Sequence, residues 1–568
     1  MTWSRAIQIK GIRTPAVLVF TAFLCTLPIY LNGMTSGNDF HQHYQFASVF
    51  FENLRNGTLV PSWSGASNFG FGDVGVRFYP PLTYYTLSIL RLAIGNWYDA
   101  SVAAIFFWFA LGSIGTFLLA REWFDEASAL VAGVASAIMP YHVNQIYNAF
   151  LLAEFAGTAI LPFCFLFVSR VCRRRSLLDI IGLTLSISAL VLTHLPLTVI
   201  GLFSLAVFAI CSFRRADLTK TISKLAVSVV ISLAVTSFYW VRLMVELDQV
   251  NHSFEEYRSG AFAYQANFLF GYFSLPNGAY AETSLWFVDL LGLFSIIMFA
   301  PAAILFFVSR SYRTKQSVRT IAAVLIASVF LATPLSDYVW KHVTFLQRTQ
   351  FPWRWLTVIS LCGAVLIGSA VRPLAQCFRT RRPLVMAAVG LAVVSVSFVF
   401  AQVIRPASFT SRPEFEAAVA KLPSEPSCDC WWPRGTQSTA FSNRVPVYAG
   451  DRHVELVEWT PTTRSFNVSG GESPTARVAT FYYPNWIAIV NGRPAQLSSS
   501  SDGVINLTLP EGPAEIKLRF VEDGYTFYTS MISIISLGLL FAAAVFSLAS
   551  RPGGLVKQSS EERFVEMT

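Results

Sequence analysis

Residues 37–57 read GNDFHQHYQFASVFFENLRNG, and residues 61–85 read PSWSGASNFGFGDVGVRFYPPLTYY. The first stretch opens with an acid, Asp39, followed closely by His41 and His43. Phe40, Tyr44, Ala47, Phe50, Phe51 and Leu54 then recur at helical spacing, which predicts an amphipathic helix. The second stretch is rich in Gly, Ser, Trp and Asn and ends in Arg77 and a Tyr79-Pro80-Pro81 stop. Apolar segments lie on both sides. Connections between membrane helices are mostly short, so a long polar one holding a lone acid and two imidazoles points to function.

The whole chain fits that setting. Of its 568 residues 54% are hydrophobic and 13% charged, and the mean hydropathy is +0.51. Soluble domains carry roughly twice that share of charge, so the composition is that of a polytopic membrane protein. The net charge of +9 does not imply nucleic acid. Arg and Lys gather in short loops between apolar runs, the pattern that encodes membrane orientation. The eight cysteines show no metal-ligand spacing. Cys428-Asp429-Cys430 lacks a second pair for zinc, and a disulfide there requires an oxidising compartment.

Arg5, Lys10 and Arg13 precede a first span near 14–32, without a small-residue cleavage site, and read as a retained signal anchor with a cytoplasmic N-terminus. The 33–81 loop is then external. Residues 82–95 are short and contain Arg91, so they lie in the interface or re-enter. Arg121, Arg173-Arg174-Arg175, Arg214-Arg215, Arg310–Arg319 and Arg372–Arg382 mark inside loops. The expected fold class is a polytopic α-helical membrane protein of about 11–13 spans with a C-terminal extracytoplasmic β-rich domain. Residues 404–526 form that domain: short alternating runs such as ARVATFYY, WIAIVNG and AEIKLRF sit between turn residues, and Asn491-Gly492 signals a hairpin. A last span near 527–550 and a cytoplasmic tail at 551–568 follow.

Four external segments concentrate ionisable residues: Asp39–His43, His142–Glu154, Asn251–Arg258 and Lys341–Arg354. Such groups are costly at membrane depth and face cavities, so one shared external cavity is expected. Asp39 suits a general base, a reading that the neighbouring His pair favours over that of a simple helix N-cap. His43, four residues on, faces Asp39 on a continued helix, whereas His41 does not. Glu154 is either a cavity acid or a solvated acid at the membrane edge. His142 either joins the cavity or ends a helix. In the run Gln347–Trp355, Arg348 and Arg354 lie among aromatics that include Trp353. That run reads as an interfacial belt or as a phosphate clamp, since Arg matches phosphate oxygens bidentately. Lys341, Arg242 and Arg258 are lesser candidates for the same task, and Arg77 is expected to line the cavity. A divalent cation at Asp39 and the histidines is compatible with the residue types, but no ligand spacing points to one. Phosphate-binding glycine loops, dinucleotide fingerprints and nucleophile elbows are missing, which favours a substrate activated beforehand.

An acid just after the first span, an amphipathic external helix and Phe78-Tyr79-Pro80-Pro81-Leu82 resemble the GT-C superfamily of integral-membrane glycosyltransferases. Asp39-Phe40-His41-Gln42-His43, Pro61-Ser62-Trp63, Leu152-Ala153-Glu154 and Gln350-Phe351-Pro352-Trp353-Arg354 are closer still to bacterial "6-pyruvoyl-tetrahydropterin synthase-related" membrane proteins and the YfhO-like group. Tyr482-Tyr483-Pro484-Asn485-Trp486 resembles the YfhO-like β domain. The resemblance implies a polyprenyl-phosphate sugar as donor, an extracytoplasmic acceptor, Asp39 as base, and Arg348, Arg354 and Lys341 around the donor phosphate. GT-C loops often carry paired acids, and here Asn38 precedes Asp39. A lipid-linked glycan transporter and a non-catalytic envelope assembly protein are the competing readings.

Overall fold

The computed structural model describes residues 13–174, 176–213, 218–253, 259–271, 285–377 and 394–550. Arg258, the 551–568 tail and the first basic residues lie outside them.

Helices dominate the first 404 residues. The first, α1 (Arg13–Asn32), leads into a three-residue strand, β1 (Met34–Ser36), and then α2 (Phe40–Arg55). The helical spacing read in the sequence is real: α2 buries Phe40, Tyr44, Ala47 and Phe50 on one face. Next come α3 (Leu82–Ile94), α4 (Trp97–Arg121), α5 (Glu126–Ile138), α6 (Pro140–Tyr147) and α7 (Leu152–Arg173). A hairpin of α8 (Leu177–Val191) and α9 (Leu195–Ser212) follows, then α10 (Leu218–Val235) and α11 (Ser237–Glu246).

Among the described residues eight helices are long and apolar enough to cross a membrane, or nine if the bent pair Gln316–Ala332 and Pro334–His342 is one span. Leu82–Ile94, Leu177–Val191 and Val394–Ile404 are apolar but shorter. At 1.5 Å per residue a 13-residue helix such as α3 reaches only about 20 Å, which is why periodicity alone counts more spans than length does. Of the eight, α7 is the most enclosed.

The ends of α7 differ in chemistry. At its C-terminal end Arg170, Arg173 and Arg174 surround Glu122, at 2.9, 3.7 and 3.3 Å. At its N-terminal end stands Glu154, about 24 Å away along the axis. The polar loops and the β domain gather at the Glu154 end.

The strands of that domain run from Val447 to Phe520. One sheet has the order β3-β6-β10-β9 and the other β4-β5-β11-β7-β8. These are β3 (Val447–Tyr448), β4 (His453–Trp459), β5 (Thr463–Ser469), β6 (Thr475–Phe481), β7 (Trp486–Val490), β8 (Arg493–Ala495), β9 (Leu497–Ser499), β10 (Val504–Thr508) and β11 (Ala514–Phe520). In β11, Ala514, Ile516 and Leu518 are buried while Glu515, Lys517 and Arg519 are exposed, the alternation of a sheet with one dry face. Asn491 and Gly492 have φ of 47° and 75°, and they join β7 to β8 with Val490 opposite Arg493. Two positive φ values are what a two-residue turn between twisted strands requires.

Residues 408–424, assigned to the β domain from sequence, belong to the helix layer. The strand β2 (Ser408–Thr410) pairs with β1, and helix Arg412–Lys421 sets Phe415 against Phe40, Tyr44 and Tyr98. Ser411 and Glu414 form a capping box that starts this helix. The Gly- and Trp-rich half of the 33–81 loop is instead a cushion for the sandwich. Trp63, Phe71, Val74 and Phe78 share one apolar core with Phe466, Phe481, Trp486 and Leu518.

Candidate active site

Glu154 is the hub. Its residue is 2% exposed at the start of α7, and four groups converge on its carboxylate. The Tyr141 hydroxyl donates to Oε1 at 2.5 Å, and Gln145 Nε2 donates to the same oxygen at 3.1 Å. Arg354 Nε donates to Oε2 at 3.1 Å, and His194 Nε2 stands 4.0 Å from it. Gln145 also donates to Thr158 Oγ1 at 3.1 Å. The local sequence explains the convergence: Tyr141 and Gln145 are four apart on α6, as are Glu154 and Thr158 on α7, so each pair shares a helix face.

Arg354 is held from several sides. Its Nη1 donates to the Thr349 carbonyl at 2.7 Å, and its guanidinium lies 4.6 Å from the Phe351 ring centre and 5.6 Å from that of Trp353. Trp353 in turn donates to Asn267 Oδ1 at 3.2 Å. A cation this enclosed needs its counter-charge, because an unpaired buried ion costs several kcal/mol.

Asp39 stands beside this cluster, and among the described residues its side chain has no hydrogen-bond partner. It occupies the N-cap position of α2, yet its side chain makes no capping hydrogen bond. The structure therefore does not realise the N-cap reading. Burial pushes its carboxyl up to about 6, with the nearby Arg354 charge lowering it and Glu154 raising it. Its backbone is pinned: Asp39 N donates to Ala149 O at 3.4 Å, and Thr35 Oγ1 donates to Ile146 O at 2.8 Å. Gly37 permits this seam, since a Cβ there would lie 2.6 Å from the carbonyl oxygen of Asn148.

His43 does not pair with Asp39. Its Nδ1 is 2.8 Å from the Tyr84 hydroxyl, and its buried Nε2 has no partner among the described residues. Burial drives its pKa down to about 3, so the ring is neutral. Its edge meets Tyr79, with ring centres 5.9 Å apart. His41 is exposed.

The other expected members divide. His142 faces away, with Nδ1 2.5 Å from the Ser136 carbonyl and its ring on Phe155, so it ends a helix junction rather than lining the Asp39 site. Asn251 donates from Nδ2 to the Asp429 carbonyl at 3.1 Å and fastens a loop of the β domain. Lys341 and Arg348 are exposed. Arg77 does not join Asp39 either. It is fully buried and bonds Glu246 through Nε and Nη2, both at 2.7 Å, and Glu522 through Nη1 at 2.8 Å. Glu246 also accepts from Tyr483 at 2.7 Å and from Tyr525. Arg77 is thus the clasp between the loop, α11 and the start of the last helix, Gly524–Ala549.

Tyr141, Gln145 and His194 were not singled out from the sequence. The four-residue spacing of the first two was the available signal. His194 precedes Leu195-Pro196 and reads as a turn, and it does cap α9 by accepting from Leu197 N at 3.2 Å. Nothing in that motif indicates Glu154. Among the described residues no three His, Cys, Asp or Glu side chains are grouped to hold a metal ion. Cys428 and Cys430 form a disulfide.

Fold and site together define a multi-pass membrane protein whose helix layer carries a buried ionic cluster beneath a β-sandwich. A family model described as "6-pyruvoyl-tetrahydropterin synthase related domain; membrane protein" matches residues 76–403, more than half of the chain, and the chain belongs to that family. An uncharacterized protein of Lactococcus lactis subsp. cremoris (strain MG1363) is 22% identical over 242 residues, 41% of this chain and 39% of that one, so the chain matches well under half of that relative's length. Similar solved structures include ArnT from Cupriavidus metallidurans bound to undecaprenyl phosphate, 14% identical over 72% of this chain and 75% of that one, with a TM-score of 0.45. The Archaeoglobus fulgidus oligosaccharyltransferase in complex with Zn and sulfate is 16% identical over 70% of this chain and 54% of that one, with a TM-score of 0.43.

Proposed function

We propose that this chain is a GT-C-type membrane glycosyltransferase that moves a sugar from a polyprenyl-phosphate donor to an extracytoplasmic acceptor. Asp39 carries the reading: it is an unpartnered, half-buried carboxylate at the edge of a saturated ionic cluster. Glu154 already accepts from three side chains, so it positions Arg354 and leaves proton transfer to Asp39. In the reaction Asp39 takes the proton of the acceptor nucleophile as that atom bonds the anomeric carbon. The bond from that carbon to the phosphate oxygen breaks, and polyprenyl phosphate leaves with the electron pair. Neutral His43, fixed by Tyr84, shapes the floor beside Asp39 without a charge that would compete for the proton.

The Asp39 end is extracytoplasmic in this reading, because arginines crowd the other end of α7. The β-sandwich then lies outside the membrane, where a disulfide persists. It is the natural place for the acceptor to dock. Among the cations expected at the donor phosphate, Arg354 is committed to Glu154, while Lys341 and Arg348 are exposed.

Mass analysis of lipid-linked sugars and envelope glycans, in cells with and without this chain, tests the proposal. A glycan that disappears with the chain while its lipid-linked donor accumulates upholds it. Unchanged glycans and donors overturn it, and leave the assembly-protein reading.

A further inference from the structure

Residues 425–434, EPSCDCWWPR, form a strap between α2 and the core of the β-sandwich. Both ends of the strap are fastened. Upstream, Gln45 Nε2 on α2 donates to the Pro426 carbonyl at 3.1 Å, Ser427 N donates to Asn68 Oδ1 at 2.8 Å, and Ser427 Oγ donates to the buried Asp73 carboxylate. Downstream, Asn251 N donates to the Trp432 carbonyl at 3.0 Å, and Arg434 N donates to the Gln249 carbonyl at 2.8 Å. Between these anchors lies one short turn, Asp429–Trp431, spanned by the Cys428–Cys430 disulfide.

That disulfide encloses a single residue. In the chain-entropy account a cross-link stabilises in step with the loop it closes, so this one adds little to the fold as a whole. The anchors on either side already hold the strap. The bond is also within reach of solvent: Cys428 is exposed and Cys430 half-buried, whereas Cys25, Cys164 and Cys362 are buried. Exposed disulfides belong to the labile class that exchanges with thiols.

The contacts of the turn give the bond a consequence. Cys428 N donates to Gln42 Oε1 at 3.3 Å, on the helix that carries His43. Trp431 N donates to the Cys428 carbonyl at 3.0 Å and Trp432 N to the Asp429 carbonyl at 3.1 Å. The Trp431 ring stacks on His252, with centres 4.7 Å apart, and lies 6.1 Å from Phe78 and 6.2 Å from Tyr79. Tyr79 in turn meets His43. Two aromatic side chains, Trp431 and Tyr79, therefore connect the disulfide to the side of α2 that faces the candidate active site.

We propose that Cys428–Cys430 is a thiol-exchange site for an extracytoplasmic dithiol, and that opening it frees the turn that sets Trp431 against Tyr79. A thiolate of the dithiol attacks Sγ of Cys428, the more exposed residue. The bond to Cys430 Sγ breaks, and Cys430 leaves as a thiolate that takes up a proton. The second thiol of the reductant then displaces Cys428 from the mixed disulfide and closes its own S–S bond. Two electrons and two protons pass from the dithiol to the chain, which ends with two thiols. Because the flanks stay anchored, the change is a local opening and not an unfolding. The exchange site does not rest on the transferase reading, whereas its effect on transfer does.

The test uses the purified full chain in detergent, with and without dithiothreitol. Thiol alkylation and mass analysis of the tryptic peptide 422–434, which holds both cysteines, read the bond. Hydrogen exchange at the Trp431 and Trp432 amides reads the turn. The bond is expected to open in the folded chain and to reclose with oxidised glutathione. In the opened chain the two amides are expected to exchange about tenfold faster, with the amides of α7 unchanged. The double variant Cys428→Ser, Cys430→Ser is expected to show the fast exchange with or without reductant. A bond that resists dithiothreitol until the chain unfolds, or one that opens with no change at the two amides, overturns the proposal; neither reading needs the variant to fold. Sugar transfer by wild type is expected to fall about tenfold on opening, through displacement of the wall beside Tyr79, and to be low and insensitive to reductant in the double variant. Faster exchange with unchanged transfer upholds the exchange site and overturns its effect on the active site. The expected exchange pattern with no transfer in either redox state upholds the exchange site and overturns the transferase reading alone.

Discussion

Asp39→Asn is expected to make the protein more stable and inactive together. The Asp39 carboxyl titrates at about 6 in the folded chain against an ordinary 3.8, chiefly because burial disfavours its charge. A raised carboxyl pKa means that folding prefers the protonated form. The penalty is absent below the unfolded value, grows through the interval, and is complete above the folded value. That interval corresponds to roughly 3 kcal/mol at most, since a half-buried carboxylate keeps some of its water. Asn carries the neutral shape at every pH and escapes the penalty. The assay is thermal unfolding of wild type and variant in detergent from about pH 4 to pH 8, the window set by the two values. The variant should unfold at a higher temperature above pH 6, and the advantage should vanish toward pH 4. A helix cap behaves differently, because Asn caps as well as Asp and only Ala loses about 1 kcal/mol. A variant that is no more stable than wild type at neutral pH, or a difference that does not depend on pH, would refute the reasoning.

Other expectations follow from the same geometry. Activity of the wild type should rise with pH through about 6, as Asp39 loses its proton, and a flat profile between pH 5 and 8 would count against it as the base. Glu154→Gln should destabilise by about 3–5 kcal/mol, because Arg354 keeps its charge in a buried site without its partner; unfolding midpoints measure this. Arg77→Ala should loosen the β-sandwich from the helix layer by removing the clasp to Glu246 and Glu522, seen as faster proteolysis near residues 521–524 while the apolar helices stay intact. Gly37→Ala should lower activity without removing any charge, since the new Cβ meets the Asn148–Ala149 backbone and shifts Asp39; chemical rescue is not expected.

Periodicity made much of this fold legible. Apolar spacing located α2, alternation located the strands, and Asn491-Gly492 located a hairpin whose two positive φ values the structure shows. Residues 408–424 misled because a short strand and a capped ten-residue helix resemble β-domain linkers until β1 and Phe40 are brought to them. The site was legible as a set of unusual residues and not as a set of pairs. Asp39, Glu154 and Arg354 come from three distant segments, and their proximity is set by helix packing that leaves no local trace. Arg77 and His142 look like their equals in sequence, yet one is locked into a buried ion cluster and the other into a helix junction. Arg242, a lesser phosphate candidate in sequence, is in the fold a buried guanidinium beside Arg77, Glu246 and Glu522.

The most direct measurement is transfer of sugar in cells that lack the chain and are supplied with either wild type or Asp39→Asn at equal membrane levels. The account predicts that wild type restores the glycan, while the variant accumulates the lipid-linked donor and transfers none. Full restoration by Asp39→Asn would contradict it.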